Sequence, residues 1–141
     1  MKNLIFALII SFSSVIFGCS NEISPETTEK IDVDLTKLSP TIIYAEVFNI
    51  LQAPNDYRGK ILKIRGKYLA SHDPQKDEMH HACVIYDATA CCMQGFEFEL
   101  AENQKYPPNQ CEITLIGRFD TYKIQKIDNP ILRDAKIDDW R

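Results

Sequence analysis

Six residues in the middle of the chain carry the donors that a metal ion or an oxidant would use. His80, His81, Cys83, Cys91 and Cys92 fall within 13 residues, and Cys111 follows them. Imidazole and thiolate groups at that density suit zinc or another borderline-soft ion. The cysteines also support a second chemistry. The chain has five, and with Cys19 set apart for the reason given below, Cys83, Cys91, Cys92 and Cys111 remain. An even number in an exported chain is the expected sign of disulfides, and the three connectivities stay open. A third reading is thiol redox work at Cys91-Cys92, although adjacent cysteines lack the Cys-x-x-Cys spacing of a thioredoxin-like turn. Strand geometry divides the set. The four residue steps from Cys83 to Asp87 span about 13 Å in a strand, whereas metal–sulfur bonds are about 2.3 Å. The expectation is therefore two groups at opposite rims of a barrel. His80, His81, Cys83 and Cys111 form one, as disulfide or buried structural thiols with solvated histidines, or as a ligand set. Cys91 and Cys92 form the other, as a thiol pair, a vicinal disulfide, or two ligands needing help from elsewhere. Asp87 reads as a cap for backbone N–H groups of that turn, and Gly95 as a turn glycine. Glu97 and Glu99 alternate with Phe96 and Phe98 and read as a solvated strand face that could border a cation site.

The elements that must position these residues follow from hydrophobic periodicity. Ser39-Pro40 suits a helix start, and Ile43, Val47, Ile50 and Leu51 then form one apolar stripe, ended by Pro54. Five strands are expected after it: Lys60–Ser71, Ala82–Asp87, Phe96–Leu100, Cys111–Asp120 and Leu132–Trp140, with Ile137 and Trp140 in the core. His72–His81 reads as a polar loop. Gly66 in the long first strand and Gly117 in the fourth mark bends. The fold class expected is all-β, a five-stranded OB-like Greek-key barrel with one short N-terminal helix.

The chain has 141 residues, 16 Lys+Arg, 20 Asp+Glu and a formal net charge of −4. That length holds one domain, and the acidic balance repels phosphates, so nucleic acid is not expected as a partner. Lys60, Lys63, Arg65 and Lys67 make the first strand locally basic, which reads as its outer face. The N-terminus reads as an address. Met1-Lys2-Asn3 is a short positive start, and Leu4–Phe17 is an uncharged run of 14 residues, too short for a spanning helix. Ile16-Phe17-Gly18-Cys19 resembles the bacterial lipobox. That resemblance implies a lipoprotein signal peptide over 1–18, diacylglyceryl attachment at Cys19, and a partnership with the lipid bilayer through acyl groups. Residues 19–39 read as lipidated cysteine and flexible tether, and 40–141 as the helix plus the OB-like domain.

Tyr57-Arg58-Gly59-Lys60, the run Asp87-Ala88-Thr89-Ala90-Cys91-Cys92-Met93-Gln94-Gly95, Tyr106-Pro107, Gly117-Arg118-Phe119-Asp120 and Leu132-Arg133-Asp134-Ala135 resemble an uncharacterised family of small bacterial envelope lipoproteins. The resemblance spans about Tyr57 to Asp139 and implies an OB-like fold. It is similar also to the extracytoplasmic OB-like domain of a permease-associated membrane protein whose relatives are linked to metal homeostasis. The chain departs from relatives that carry a further cysteine entering the last strand, where it has Pro130-Ile131. No Gly-x-Ser-x-Gly, Walker loop or His-Glu-x-x-His occurs. The expected function is that of a non-catalytic binding or interaction module, lipid-anchored at the extracytoplasmic face of the cell envelope, in the outer membrane where the cell has one. Its partner would be an envelope protein or a transporter. Metal handling, with zinc on the Cys/His donors, is the alternative, and thiol redox chemistry the third.

Overall fold

A computed structural model describes residues 30–141. The signal peptide expected over 1–18, Cys19 and the tether up to residue 29 lie outside the described residues. The element order is β1 (Val33–Asp34), α1 (Pro40–Gln52), β2 (Ile61–Asp73), β3 (Glu78–Tyr86), β4 (Met93–Leu100), β5 (Glu112–Ile124) and β6 (Ile127–Trp140). Strand dominates, with a single α-helix among the described residues.

Helix α1 starts where its sequence requires. Pro40 occupies the first turn and the Ser39 carbonyl accepts the Ile43 N–H at 2.9 Å, although the Ser39 hydroxyl makes no capping bond. Ile43, Val47 and Ile50 are its buried face. The Ala53 N–H still reaches the Asn49 carbonyl; Pro54 has no N–H to carry the pattern on.

All strands lie in one mixed sheet of six, ordered β1-β2-β3-β4-β6-β5, and a further β2–β5 pairing closes the five long strands into a ring. The contacts β2–β3, β3–β4, β5–β6 and β2–β5 are antiparallel, and β4–β6 is parallel. The strand beyond the expected five is β1, which pairs parallel to β2. It lies in the stretch read as tether. Two residues are too few to show a period, yet Leu35 just after them is buried at 2% exposure.

Strand β2 runs along β5 from Ile61 to Lys67 and along β3 from Lys67 to Asp73. Gly66 stands at that hand-over, where a Cβ would lie 2.6 Å from the Val84 carbonyl oxygen and 2.8 Å from Cys83 Sγ. The core gathers Val47 and Ile50 of α1, Leu62 and Ile64 of β2, and Phe96 of β4, whose ring meets Phe119 of β5 edge-on at 5.5 Å.

Three expectations are corrected. The polar stretch 72–81 is a turn only over 74–77: β2 and β3 pair out to Asp73↔Glu78, so His80 and His81 are strand residues opposite Ser71 and Ala70. A two-stranded ladder satisfies backbone groups whatever the side chains, so polarity did not prevent it. The last strand begins at Ile127, because Gln125 and Lys126 both take positive φ and turn the chain in a tight hairpin. Trp140 is exposed at 53%. Ala135 and Ile137 face inward, and a period of two places Trp140 on the opposite side from them.

Candidate functional site

Strand alternation and the ring bring one open cleft of about 460 Å³ together over β3, β4, β5 and β6 and the β4–β5 loop. On its core side, His81 of β3 lies under Tyr106 of the loop, ring centroids 3.6 Å apart and planes 12° from parallel. The Tyr68 hydroxyl is 2.7 Å from His81 Nδ1, and Phe98 of β4 tilts against both rings. Burial, then the neighbouring His80, lowers the His81 pKa. In the tautomer protonated at Nε2, the neutral imidazole accepts a hydrogen bond from the Tyr68 hydroxyl at Nδ1. Burial, and after it Tyr106, raises the Tyr68 pKa.

The outer side is a polar network. Glu97 of β4 accepts the Tyr122 hydroxyl at 2.6 Å on Oε2, and its Oε1 is 3.5 Å from His80 Nδ1. Arg133 of β6 donates to Glu99 at 2.7 Å and to Asp120 at 3.3 Å. Burial, the hydrogen bond to Glu97 and the nearby carboxylate charge push Tyr122 up to about 12. Glu97 and Glu99, read as a solvated face, thus form the wall of this cleft. Tyr106, Tyr122 and Arg133 escape sequence reasoning as a group. They arrive from the β4–β5 loop and from both strands of the β5–β6 hairpin, and only register brings them over Glu97 and Glu99.

The sulfur donors do not join the histidines here. Among the described residues all four cysteines are free. Cys83 faces the core, and burial pushes its thiol up to about 12. Cys111 is half-buried ahead of β5, and its carbonyl accepts the Tyr68 N–H at 2.8 Å. Cys91 and Cys92 sit exposed on the β3–β4 turn with Asp87, and one ligand atom from each of the three lies within 4.8 Å of the others. Asp87 Oδ1 accepts the N–H of Cys91 at 2.9 Å and of Cys92 at 3.4 Å. Asp87 Oδ2 is 3.3 Å from Cys91 Sγ, and the two sulfurs are 3.6 Å apart. Desolvation pushes the Asp87 pKa up, but hydrogen bonds from Cys91, Thr89 and the turn backbone outweigh it and leave it lowered. The hydrogen bond from Cys91 and the Asp87 charge raise the Cys92 pKa. Helix α1 borders the turn: the Gln94 amide donates to the Tyr44 carbonyl, and desolvation with the charge of Cys92, Asp87 and Cys91 raises the Tyr44 phenol.

The basic stretch of β2 is taken up by the barrel surface: Lys63 pairs with Asp138 at 2.7 Å, Arg65 donates to Thr114 at 3.2 Å, and the Lys67 ammonium lies 6.0 Å from the Tyr86 ring centre. Compared with known proteins, the chain matches no family model, no curated protein and no solved structure.

Proposed function

We propose that this chain is a lipid-anchored envelope protein whose OB-like barrel binds a hydroxyl-rich ligand of the oligosaccharide class in the cleft, without turning it over. The observation that carries the reading is Tyr106. The residue is 39% exposed, its ring lies flat on His81, and it lines the cleft together with Glu97, Glu99 and Arg133. A flat apolar ring beside planar hydrogen-bonding groups suits a sugar, which offers C–H bonds on one face and hydroxyls at its rim. The OB-like assignment is supported by the ring order. The first long strand pairs with the second and the fourth, and the third pairs with the fifth in parallel. In OB folds the second and third strands and the hairpin loops beside them carry oligonucleotide or oligosaccharide sites. Here the lining includes Glu78, Glu97 and Glu99 against the single guanidinium of Arg133, a balance that repels phosphates and favours the sugar.

The anchor in this proposal is the acylated Cys19, which holds the cleft at the extracytoplasmic face of the envelope, within reach of a partner protein or a transporter. The test is an NMR titration of the purified protein with chitotetraose and with soluble peptidoglycan fragments. Saturable shifts confined to β3, β4 and the loop around Tyr106 are expected, with Tyr106→Ala and Glu97→Gln each weakening binding at least about tenfold, or 1.4 kcal/mol. A thymidine oligonucleotide should leave the spectrum unchanged. Absence of saturable binding to either sugar probe rejects the ligand class. Incorporation of labelled palmitate into wild type and Cys19→Ala alike rejects the anchor.

A further inference from the structure

The β3–β4 turn lies apart from the cleft and takes no part in the binding proposed for it. We propose that Asp87, Cys91 and Cys92 form a site for a thiophilic divalent cation of the zinc class, held by two thiolates and one carboxylate with the remaining coordination open.

The distances support it. Around a tetrahedral ion with metal–sulfur bonds of about 2.3 Å, two sulfurs stand about 3.8 Å apart, and a sulfur and a carboxylate oxygen about 3.6 Å apart. In this turn Cys91 Sγ and Cys92 Sγ are 3.6 Å apart, and Cys91 Sγ and Asp87 Oδ2 are 3.3 Å apart. Two of the three edges of a ligand face are therefore close to their ligated lengths, and the third pair of atoms lies within 4.8 Å. A vicinal disulfide would need the sulfurs at about 2.05 Å. The arrangement instead places the two thiols in contact beside a carboxylate.

The turn fixes this arrangement through its backbone. Asp87 Oδ1 holds the N–H groups of Cys91 and Cys92, and the Asp87 N–H donates to the Cys92 carbonyl at 3.0 Å. Oδ2 is thereby turned toward the sulfurs, with the Thr89 hydroxyl 3.0 Å away as an orienting donor. Such outer partners set ligand direction in metal sites. Two sulfurs disfavour magnesium and calcium, which take oxygen shells, and favour zinc and cadmium. Both cysteines are exposed, so an ion reaches them directly from solvent. As it enters, each thiol gives its proton to water and the sulfur lone pair to the metal.

The experiment titrates the reduced full chain with Cd²⁺ under anaerobic conditions while sulfur-to-cadmium charge-transfer absorbance is followed, then adds Zn²⁺ in competition. The band is expected to saturate at one equivalent and to fall as Zn²⁺ displaces Cd²⁺. Cys91→Ser and Cys92→Ser should each weaken binding at least a hundredfold and Asp87→Asn about tenfold, while Cys111→Ser leaves it within twofold. In the unmutated chain, one equivalent of Cd²⁺ should protect Cys91 and Cys92 from iodoacetamide and leave the labelling of Cys111 unchanged, a readout that does not depend on any variant folding. No band at one equivalent, a band that survives in the Cys91→Ser/Cys92→Ser double variant, or labelling of Cys91 and Cys92 that cadmium does not slow would overturn the site.

Discussion

Cys83 and Cys91 carry the same thiol eight residues apart in the chain and meet opposite surroundings. Cys83 is fully enclosed between β2 and β4, opposite Tyr68 and Phe96, with its sulfur against Gly66. Removal from water disfavours the thiolate, so its pKa rises from 9.0 to about 12. The raised pKa leaves very little of this thiol as thiolate at pH 8, and the thiolate is the nucleophile. Native alkylation followed by mass spectrometry should therefore label Cys91 and Cys92 readily and leave Cys83 unlabelled until the chain is unfolded. Labelling of native Cys83 at the rate of Cys91 would contradict its burial. The residue scale also separates what can be read locally from what cannot. Asp87 reads from the sequence as a cap of its turn, and its Oδ1 accepts two backbone N–H groups there. The Tyr122–Glu97 and Arg133–Glu99 bonds span long stretches of chain, and no local spacing announces them.

At the scale of elements, β3 and β4 approach so closely that Gly95 leaves no room for a side chain. A Cβ there would stand 2.0 Å from the Cys83 carbonyl oxygen and 2.8 Å from the Val84 Cα, both backbone atoms that cannot rotate aside. Gly95→Ala should destabilise the fold by about 3 kcal/mol, the upper end for overpacking. Urea denaturation read by circular dichroism measures it, and a loss below about 0.5 kcal/mol would show that the two strands separate easily. The sequence reading of Gly95 as a turn residue is corrected: the glycine lies within β4, paired with Val84, and what it supplies is room for the neighbouring strand. Elements with a strong period were legible: Ile43, Val47 and Ile50 marked the buried stripe of α1, and Ile113, Leu115, Gly117 and Phe119 the inward side of β5. The hairpin around residues 72–81 was not, because its stability comes from the ladder with the neighbouring strand rather than from apolar alternation. Neither was β1, whose two residues gain their order from Leu35 packing into the core.

At the scale of the whole molecule, several shifted groups combine into one pH profile. Cys83 and Tyr122 hold their protons to about 12 in the fold, from ordinary values of 9.0 and 10.0. Between those values the unfolded chain has released protons that the folded chain retains, so stability is complete below about pH 9 and falls as pH rises toward 12. Asp120 is lowered by the Thr121 N–H, against some desolvation, and by Arg133 and Arg58; Asp87 is lowered too. Their contribution is present above the ordinary carboxylate range and is lost as pH falls through the folded values. Thermal melts should show a plateau near neutral pH, a decline on the acid side and a decline above pH 9. Tyr122→Phe should flatten part of the alkaline decline. A melting temperature that keeps rising from pH 8 to 11 would contradict this assignment.

The parallel β4–β6 contact has a consequence for how the ring closes. β6 lies between β4 and β5, and its 14 residues are the last strand in chain order. Until β6 docks, β5 can lie on β2, but the gap between β4 and β5 stays open and Phe98 and Phe119 lack Leu132, their shared partner on β6. Contacts across the fold are mostly long-range, which makes the ring slow to form. Leu132 thus fastens both edges of that gap at once, the clasp of the ring.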